Sequence, residues 1–149
     1  VKQGDTVDDF TLTDETGADR SLSGLLAGGP VVLFFYPMAT SPGCTKESCH
    51  FRDLAAEFAA VGAGRVGISP DAPDRQRGWS DKHSFDFPLL SDPDGAVATR
   101  FGVRRKFGPM KTRRRTFVIG TDRTVLAVIG SELNMSVHAD KALEVLKVR

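Results

Sequence analysis

The stretch Val31-Val32-Leu33-Phe34-Phe35-Tyr36-Pro37-Met38-Ala39-Thr40-Ser41-Pro42-Gly43-Cys44-Thr45-Lys46-Glu47-Ser48-Cys49 decides the fold. Its first six residues are apolar, β-branched or aromatic without interruption, and Gly28-Gly29-Pro30 and Pro37 bound them. Such a run fits a central strand buried on both faces. Beyond Pro37 the chain turns through Pro42 and Gly43. From about Thr45 to Val61, apolar residues recur at Cys49, Leu54, Ala55, Phe58, Ala59 and Val61 with charges between them. That spacing predicts one long amphipathic helix, ended by Gly62 and Gly64.

Working outward, Phe10 to Thr13 alternates apolar and polar residues before a turn and Ser21-Leu22, which predicts a small N-terminal hairpin or extended arm. Arg65 to Ser69 reads as a second strand, Asp74 to His83 as a second helix, and Ala96 to Phe101 as a short helix after Asp92-Pro93-Asp94-Gly95. Thr116 to Ile119 and Val125 to Ile129 flank Gly120-Thr121-Asp122-Arg123 as a β-hairpin, and Val137 to Val148 closes the chain as an amphipathic helix. Strand and helix alternate before a hairpin and a last helix. This order predicts an α/β fold, a central mixed β-sheet flanked by helices, and it resembles thioredoxin-like architecture. No repeat, low-complexity segment or linker interrupts residues 1–149, so a single domain is expected.

The composition is that of an ordinary globular chain: 149 residues, 40% hydrophobic and 26% charged. The net charge of +1 supplies no overall field to attract nucleic acid or an acidic membrane. The longest apolar run, Pro30 to Tyr36, is too short to span a bilayer, and Val1 to Phe10 carries Lys2, Asp5, Asp8 and Asp9 where a signal peptide needs an apolar core. A soluble, cytoplasmic protein is the expectation, although the sequence opens at Val1 and leaves room for residues upstream.

Two cysteines, with four residues between them, are too few for a disulfide framework or a structural zinc site. The turn places Cys44 at or near a helix start. Unpaired N–H groups there can bring a thiol from roughly 8.5 into a range of about 3.5 to 7.5, and the thiolate is the nucleophile. Cys49 lies five positions on. In a regular helix that separates the Cα atoms by about 8.5 Å and turns the side chains roughly 140° apart. A disulfide spans at most about 7 Å. Either the two never bond, or the helix start unwinds first. The alternative for Cys49 is a small hydrophobe on the core face.

Pro37, Ser41 and Cys44, at the spacing proline, three residues, hydroxyl, two residues, cysteine, resemble the peroxiredoxin active-site motif. Cys49 five positions later is similar to the peroxiredoxin Q, or bacterioferritin comigratory protein, subgroup of the AhpC/TSA superfamily. Gly4-Asp5 before Phe10, and Phe87-Pro88-Leu89-Leu90-Ser91-Asp92, extend the resemblance over most of the chain. The family's arginine, before a late strand, falls on Arg114 in Arg114-Arg115-Thr116-Phe117, with Arg113 and Arg115 as competitors. The resemblance implies a thiol peroxidase needing no metal or organic cofactor. Cys44 would attack a hydroperoxide, Cys49 would resolve the sulfenic acid as a Cys44–Cys49 disulfide, and thioredoxin would reduce it. Ser41 would hold the thiolate and orient substrate, the backbone N–H groups of Gly43 and Cys44 and the Arg114 guanidinium would bind peroxide, and Pro37 would exclude water. A resolving cysteine in the same helix also implies a monomer. Two departures stand out: Ser41 replaces the common threonine, and Thr6-Val7-Asp8-Asp9-Phe10 lacks the usual Ala-Pro.

Rival readings carry less. A dithiol–disulfide oxidoreductase usually places two residues, not four, between its cysteines. A redox-sensing or interaction module would use the basic stretch Arg104, Arg105, Lys106, Lys111, Arg113, Arg114 and Arg115; in a peroxidase, Phe107 and Met110 of the same loop would rim the peroxide pocket or contact a reductase. A solvated loop is the plainer reading of that stretch, and nucleic acid is not expected. His50, His83 and His138 lack standard metal spacing, and Trp79 reads as a packed helix residue.

Overall fold

The computed structural model describes residues 1–108 and 111–148. Met110 therefore lies outside the described residues. Seven strands form one sheet: β1 (Thr11–Thr13), β2 (Asp19–Ser21), β3 (Val31–Phe35), β4 (Gly64–Ser69), β5 (Leu89–Ser91), β6 (Arg115–Ile119) and β7 (Val125–Gly130), in the order β2-β1-β5-β4-β3-β6-β7. β3, β4 and β5 run parallel, whereas β6, β7 and the β1–β2 hairpin pair antiparallel. The predicted mixed α/β sheet is thus present, and the hairpin joins it through Thr13 opposite Ser91.

The helices are α1 (Leu22–Leu25), α2 (Pro42–Asp53), α3 (Ala55–Ala60), α4 (Pro73–His83), α5 (Ala96–Arg100) and α6 (Val137–Lys147). Because β3, β4 and β5 advance across the sheet in one direction, right-handed crossovers put α2, α3 and α4 on the same face. Two cores follow from the two-residue period of β3. Val31, Leu33 and Phe35 pack with Phe10, Leu22 and Phe101 on one face. Val32, Phe34 and Tyr36 pack with Phe51, Phe58 and Leu143 on the other. Phe34 stacks on Phe51 with ring centroids 4.2 Å apart, which seats α2 on the sheet. Gly67 of β4 completes that face, since a Cβ there would come within 2.9 Å of Tyr36 and Leu89.

Several sequence expectations need correction. The helix predicted from Thr45 to Val61 begins earlier, at Pro42, because Ser41 caps it and proline suits a first helical turn. It is also two helices, parted at Leu54 (φ −95°, ψ 20°), with no Gly or Pro between Ser48 and Val61 to announce the break. Its buried stripe is Cys44, Glu47, Ser48 and Phe51, so Cys49 is partly exposed rather than on the core face. Polar Glu47 and Ser48 hide that stripe from an apolar count. Strand β5 and helix α1 are too short for a periodicity to register.

Candidate active site

The site lies beyond the carboxyl end of β3, where parallel α/β sheets open a crevice. Residues Met38 to Ser41 make a tight turn, and Thr40 sits at φ 72°, a left-handed conformation costly for a β-branched residue. Neighbours from the β4–α4 connection and from the first turn of α4 hold it there. The Asp71 carboxylate accepts from the Ala39 N–H at 2.6 Å, and Arg75 Nη2 donates to the Thr40 hydroxyl at 3.0 Å. Pro37 is half-buried just before this turn.

Ser41 is the N-cap of α2, its Oγ accepting from the Cys44 N–H at 3.4 Å. The Ser41 hydroxyl donates to the Met38 carbonyl at 2.9 Å. In this state its hydrogen is directed to that carbonyl and not to the Cys44 sulfur, unlike the role the family motif implies. Cys44 is the third residue of α2 and fully buried; Gly43 precedes it in the same first turn, where helical N–H groups have no intrahelical acceptor. Both cysteines are free thiols on one unbroken helix.

Of the three competing arginines, Arg114 reaches the sulfur: its Nη2 donates to Cys44 Sγ at 3.2 Å. Arg113 is exposed, and Arg115 turns to the Arg114 carbonyl and Glu132. Arg114 Nη1 also donates to Glu47 Oε1 at 2.8 Å, and Glu132 accepts from its backbone N–H at 3.1 Å. Burial weighs against the guanidinium charge, but Glu47 and Cys44 outweigh it and hold Arg114 above the ordinary arginine value. Burial pushes the Glu47 carboxyl up from 4.5 to about 8, with Arg114 drawing it back down.

Behind Glu47 stands His138 of α6, also fully buried. Its Nε2 lies 2.8 Å from the Ser131 carbonyl, which can only accept, so that nitrogen carries the proton. Nδ1 then accepts from the Thr116 hydroxyl at 2.8 Å and faces Glu47 Oε2 at 3.6 Å. Burial lowers the His138 imidazole from its usual value and keeps it neutral. Glu47 Oε2 and Arg114 Nε have no protein hydrogen-bond partner among the described residues. Sequence reasoning missed Glu47, His138 and Met135, whose Sδ lies 3.6 Å from the position of a Cβ on Gly43. The one available signal was a glutamate three residues after Cys44, the spacing that returns to the same helix face.

Cys49 points elsewhere. It opens on a surface cleft of about 280 Å³ lined by Lys46, His50, Asp53 and Ser136, and its Sγ lies 3.9 Å from His83 Nδ1. Trp79, buried as expected, donates from Nε1 to the Thr45 hydroxyl at 3.1 Å and so touches the first turns of α2. Phe107 is exposed on the basic loop, where Arg105 pairs with Glu132 at 2.9 Å. Among the described residues no cluster of three metal-ligating side chains occurs, and no helix is long and apolar enough to cross a membrane.

Comparison with known proteins identifies the family. The AhpC/TSA family model matches residues 3–128. The solved structure of peroxidoxin BcpB from Mycobacterium tuberculosis superposes with a TM-score of 0.96 at 59% identity, covering 99% of this chain and 97% of that one. Peroxiredoxin Q from Xanthomonas campestris superposes with a TM-score of 0.86 at 30% identity, over 94% and 90% of the two chains. The chloroplastic peroxiredoxin Q of Sedum lineare is 36% identical over 147 residues, 99% of this chain and 78% of the relative. The family model over most of the chain and these relatives place the chain in the AhpC/TSA family as a peroxiredoxin, a thiol-dependent peroxidase.

Proposed function

We propose that Cys44 reduces hydrogen peroxide or a small alkyl hydroperoxide and that Cys49 resolves the product. The observation that carries this reading is the Arg114 guanidinium 3.2 Å from a sulfur in the first turn of α2. Cation and helix terminus both face the sulfur, and both can stabilise charge as it moves to the leaving oxygen. The thiolate attacks one peroxide oxygen, the O–O bond breaks, and water or an alcohol leaves once its oxygen is protonated. The backbone N–H groups of Gly43 and Cys44 and the Arg114 guanidinium bind the peroxide oxygens. Ser41 fixes the helix start and, once substrate enters, swings its hydroxyl from the Met38 carbonyl to the peroxide, while Pro37 shields the thiolate from water. Cys49 then displaces the sulfenic oxygen as water, closing the Cys44–Cys49 disulfide, and an external dithiol of the thioredoxin type reduces it. With its own resolving sulfur the chain acts as a single-domain monomer, and its need for a dithiol donor suits the cytoplasm.

Trp79, bonded to Thr45, gives the test its signal. Stopped-flow fluorescence and peroxide consumption are followed for wild type, Cys44→Ser and Cys49→Ser, with and without thioredoxin. Peroxide consumption is expected to vanish fully only in Cys44→Ser, while Cys49→Ser consumes about one equivalent and stops at the sulfenic acid. Peroxidase turnover surviving in Cys44→Ser would reject the assignment. Peptide mapping after one equivalent of peroxide should recover the Cys44–Cys49 bridge.

A further inference from the structure

Resolution requires a second thiolate, yet Cys49 has none of the help given to Cys44. It is the eighth residue of α2, well past the helix N-terminus, and Arg114 is engaged with Cys44 and Glu47. A thiol attacks as its thiolate, so some group must take the Cys49 proton. Of the side chains sharing its cleft, Lys46 offers only donors, Asp53 Oδ1 is engaged by Arg52 Nε at 3.0 Å, and His50 Nε2 is committed to Asp140 Oδ1 at 2.8 Å. His83, on the last turn of α4, is the group that faces the sulfur, its Nδ1 3.9 Å from Sγ.

The imidazole is held in place independently of the thiol. Its ring stacks on Phe85 with centroids 5.5 Å apart and planes 21° apart, and Phe85 packs on Trp79 and Phe87. The His83 carbonyl accepts from Arg52 Nη1 at 2.6 Å, which ties the end of α4 to α2 one turn beyond Cys49. These contacts anchor the Cys49 end of α2, while the Cys44 end is held by a 3.4 Å cap bond, by Arg114 and by the Trp79–Thr45 bond. When the helix start unwinds, Cys44 is the sulfur that travels and Cys49 the one that waits beside its base.

We propose that His83 is a catalytic residue of the resolving half-reaction, taking the proton of the Cys49 thiol as that sulfur attacks oxidised Cys44. This rests on the reading of Cys49 as the resolving cysteine. The Cys49 S–H bond breaks and its proton passes to His83 Nδ1. The sulfur's electron pair forms the S–S bond as the Cys44 S–O bond breaks, and the departing hydroxide recovers the proton and leaves as water. Cys49 is oxidised and the sulfenic sulfur reduced to the disulfide level, so no further oxidant or reductant enters.

Two measurements test it. In Cys44→Ser, Cys49 is the remaining thiol, and its alkylation by iodoacetamide at neutral pH is expected to slow at least fivefold when His83→Ala is added and to recover in imidazole buffer. In chains with both cysteines, quenched-flow mapping after one equivalent of peroxide gives the rates of sulfenic acid and disulfide formation. The ratio of disulfide to sulfenic acid rate should fall at least tenfold in His83→Ala. It should fall as far in His83→Gln, which keeps a hydrogen-bonding side chain without a base and serves if the alanine variant does not fold. An unchanged ratio in a folded variant, or alkylation indifferent to His83, overturns the role of His83. A wild-type chain that accumulates sulfenic acid and never forms the disulfide overturns the resolving role of Cys49 itself, and the proposal with it.

Discussion

At the scale of single residues the site is governed by Glu47. Its carboxyl is fully buried, accepts from Arg114, and is raised from 4.5 to about 8 by desolvation. Protonated, it positions the guanidinium without setting a negative charge against the Cys44 thiolate; ionised, it competes with that thiolate for Arg114. The linkage has a definite sign. The fold binds the Glu47 proton more tightly than the unfolded chain does, so this contribution to stability is complete below about pH 4.5 and is lost as pH rises through about 8. Glu47→Gln removes the titration and keeps an acceptor for Arg114. Urea titrations across this range should therefore show wild type losing stability relative to Glu47→Gln as pH rises, and parallel curves would refute the shift. Glu47→Ala removes the acceptor from a buried cation and is expected to cost about 3 kcal/mol. Thr40 is the second residue under tension. Thr40→Asn, which tolerates φ near 72°, should raise stability by about 0.5–1 kcal/mol in the same assay.

At the scale of elements, α2 carries the chemistry and also has to come apart. Its cap is a single 3.4 Å bond from the Cys44 N–H to Ser41, at the long end for such bonds. Ser41→Ala should cost about 1 kcal/mol or less and should shift the balance of steps, slowing attack on peroxide and speeding disulfide formation, as rapid-quench mapping would reveal. How much of this element the sequence exposes depends on which residues carry the signal. The strand Val31–Phe35 was legible because its burial on both faces leaves an unbroken apolar run, whereas Pro42 and Gly43 read as a turn and set the expected helix start late, at Thr45. Arg114 was one of three neighbouring arginines, and its inward direction is set by β6 pairing in register with β3, Phe35 opposite Arg115. Glu47 and His138 were illegible as a pair because their meeting joins α2 to α6 across 90 intervening positions of chain, and polar residues in a buried stripe count against burial when hydrophobicity alone is read. The break at Leu54 left no trace in residue type.

At the scale of the whole molecule, the rigid sheet and the unwinding helix make opposite demands, and their difference can be measured. A Cys44–Cys49 bridge closes so short a loop that it constrains the unfolded chain by only ~2 kcal/mol. Forming it pulls Cys44 from Arg114, breaks the first turns of α2, and disturbs the Arg114–Glu47 and Trp79–Thr45 bonds that pin the helix to β6 and α4. Leaving the buried guanidinium without its partners alone costs about 3 kcal/mol, and the lost helical turns add to it. The oxidised protein should therefore melt below the reduced one by several degrees, contrary to the usual effect of a disulfide. Hydrogen exchange should locate the loss: faster exchange through Pro42–Asp53 on oxidation, with β3, β4 and β6 as protected as before. Cys49→Ser, which cannot close the bridge, should show neither change after peroxide. If the oxidised form melted higher, or α2 stayed protected while the disulfide was present, the helix would be accommodating the bridge without unwinding. The division of labour between a fixed Cys49 and a travelling Cys44 would then fail.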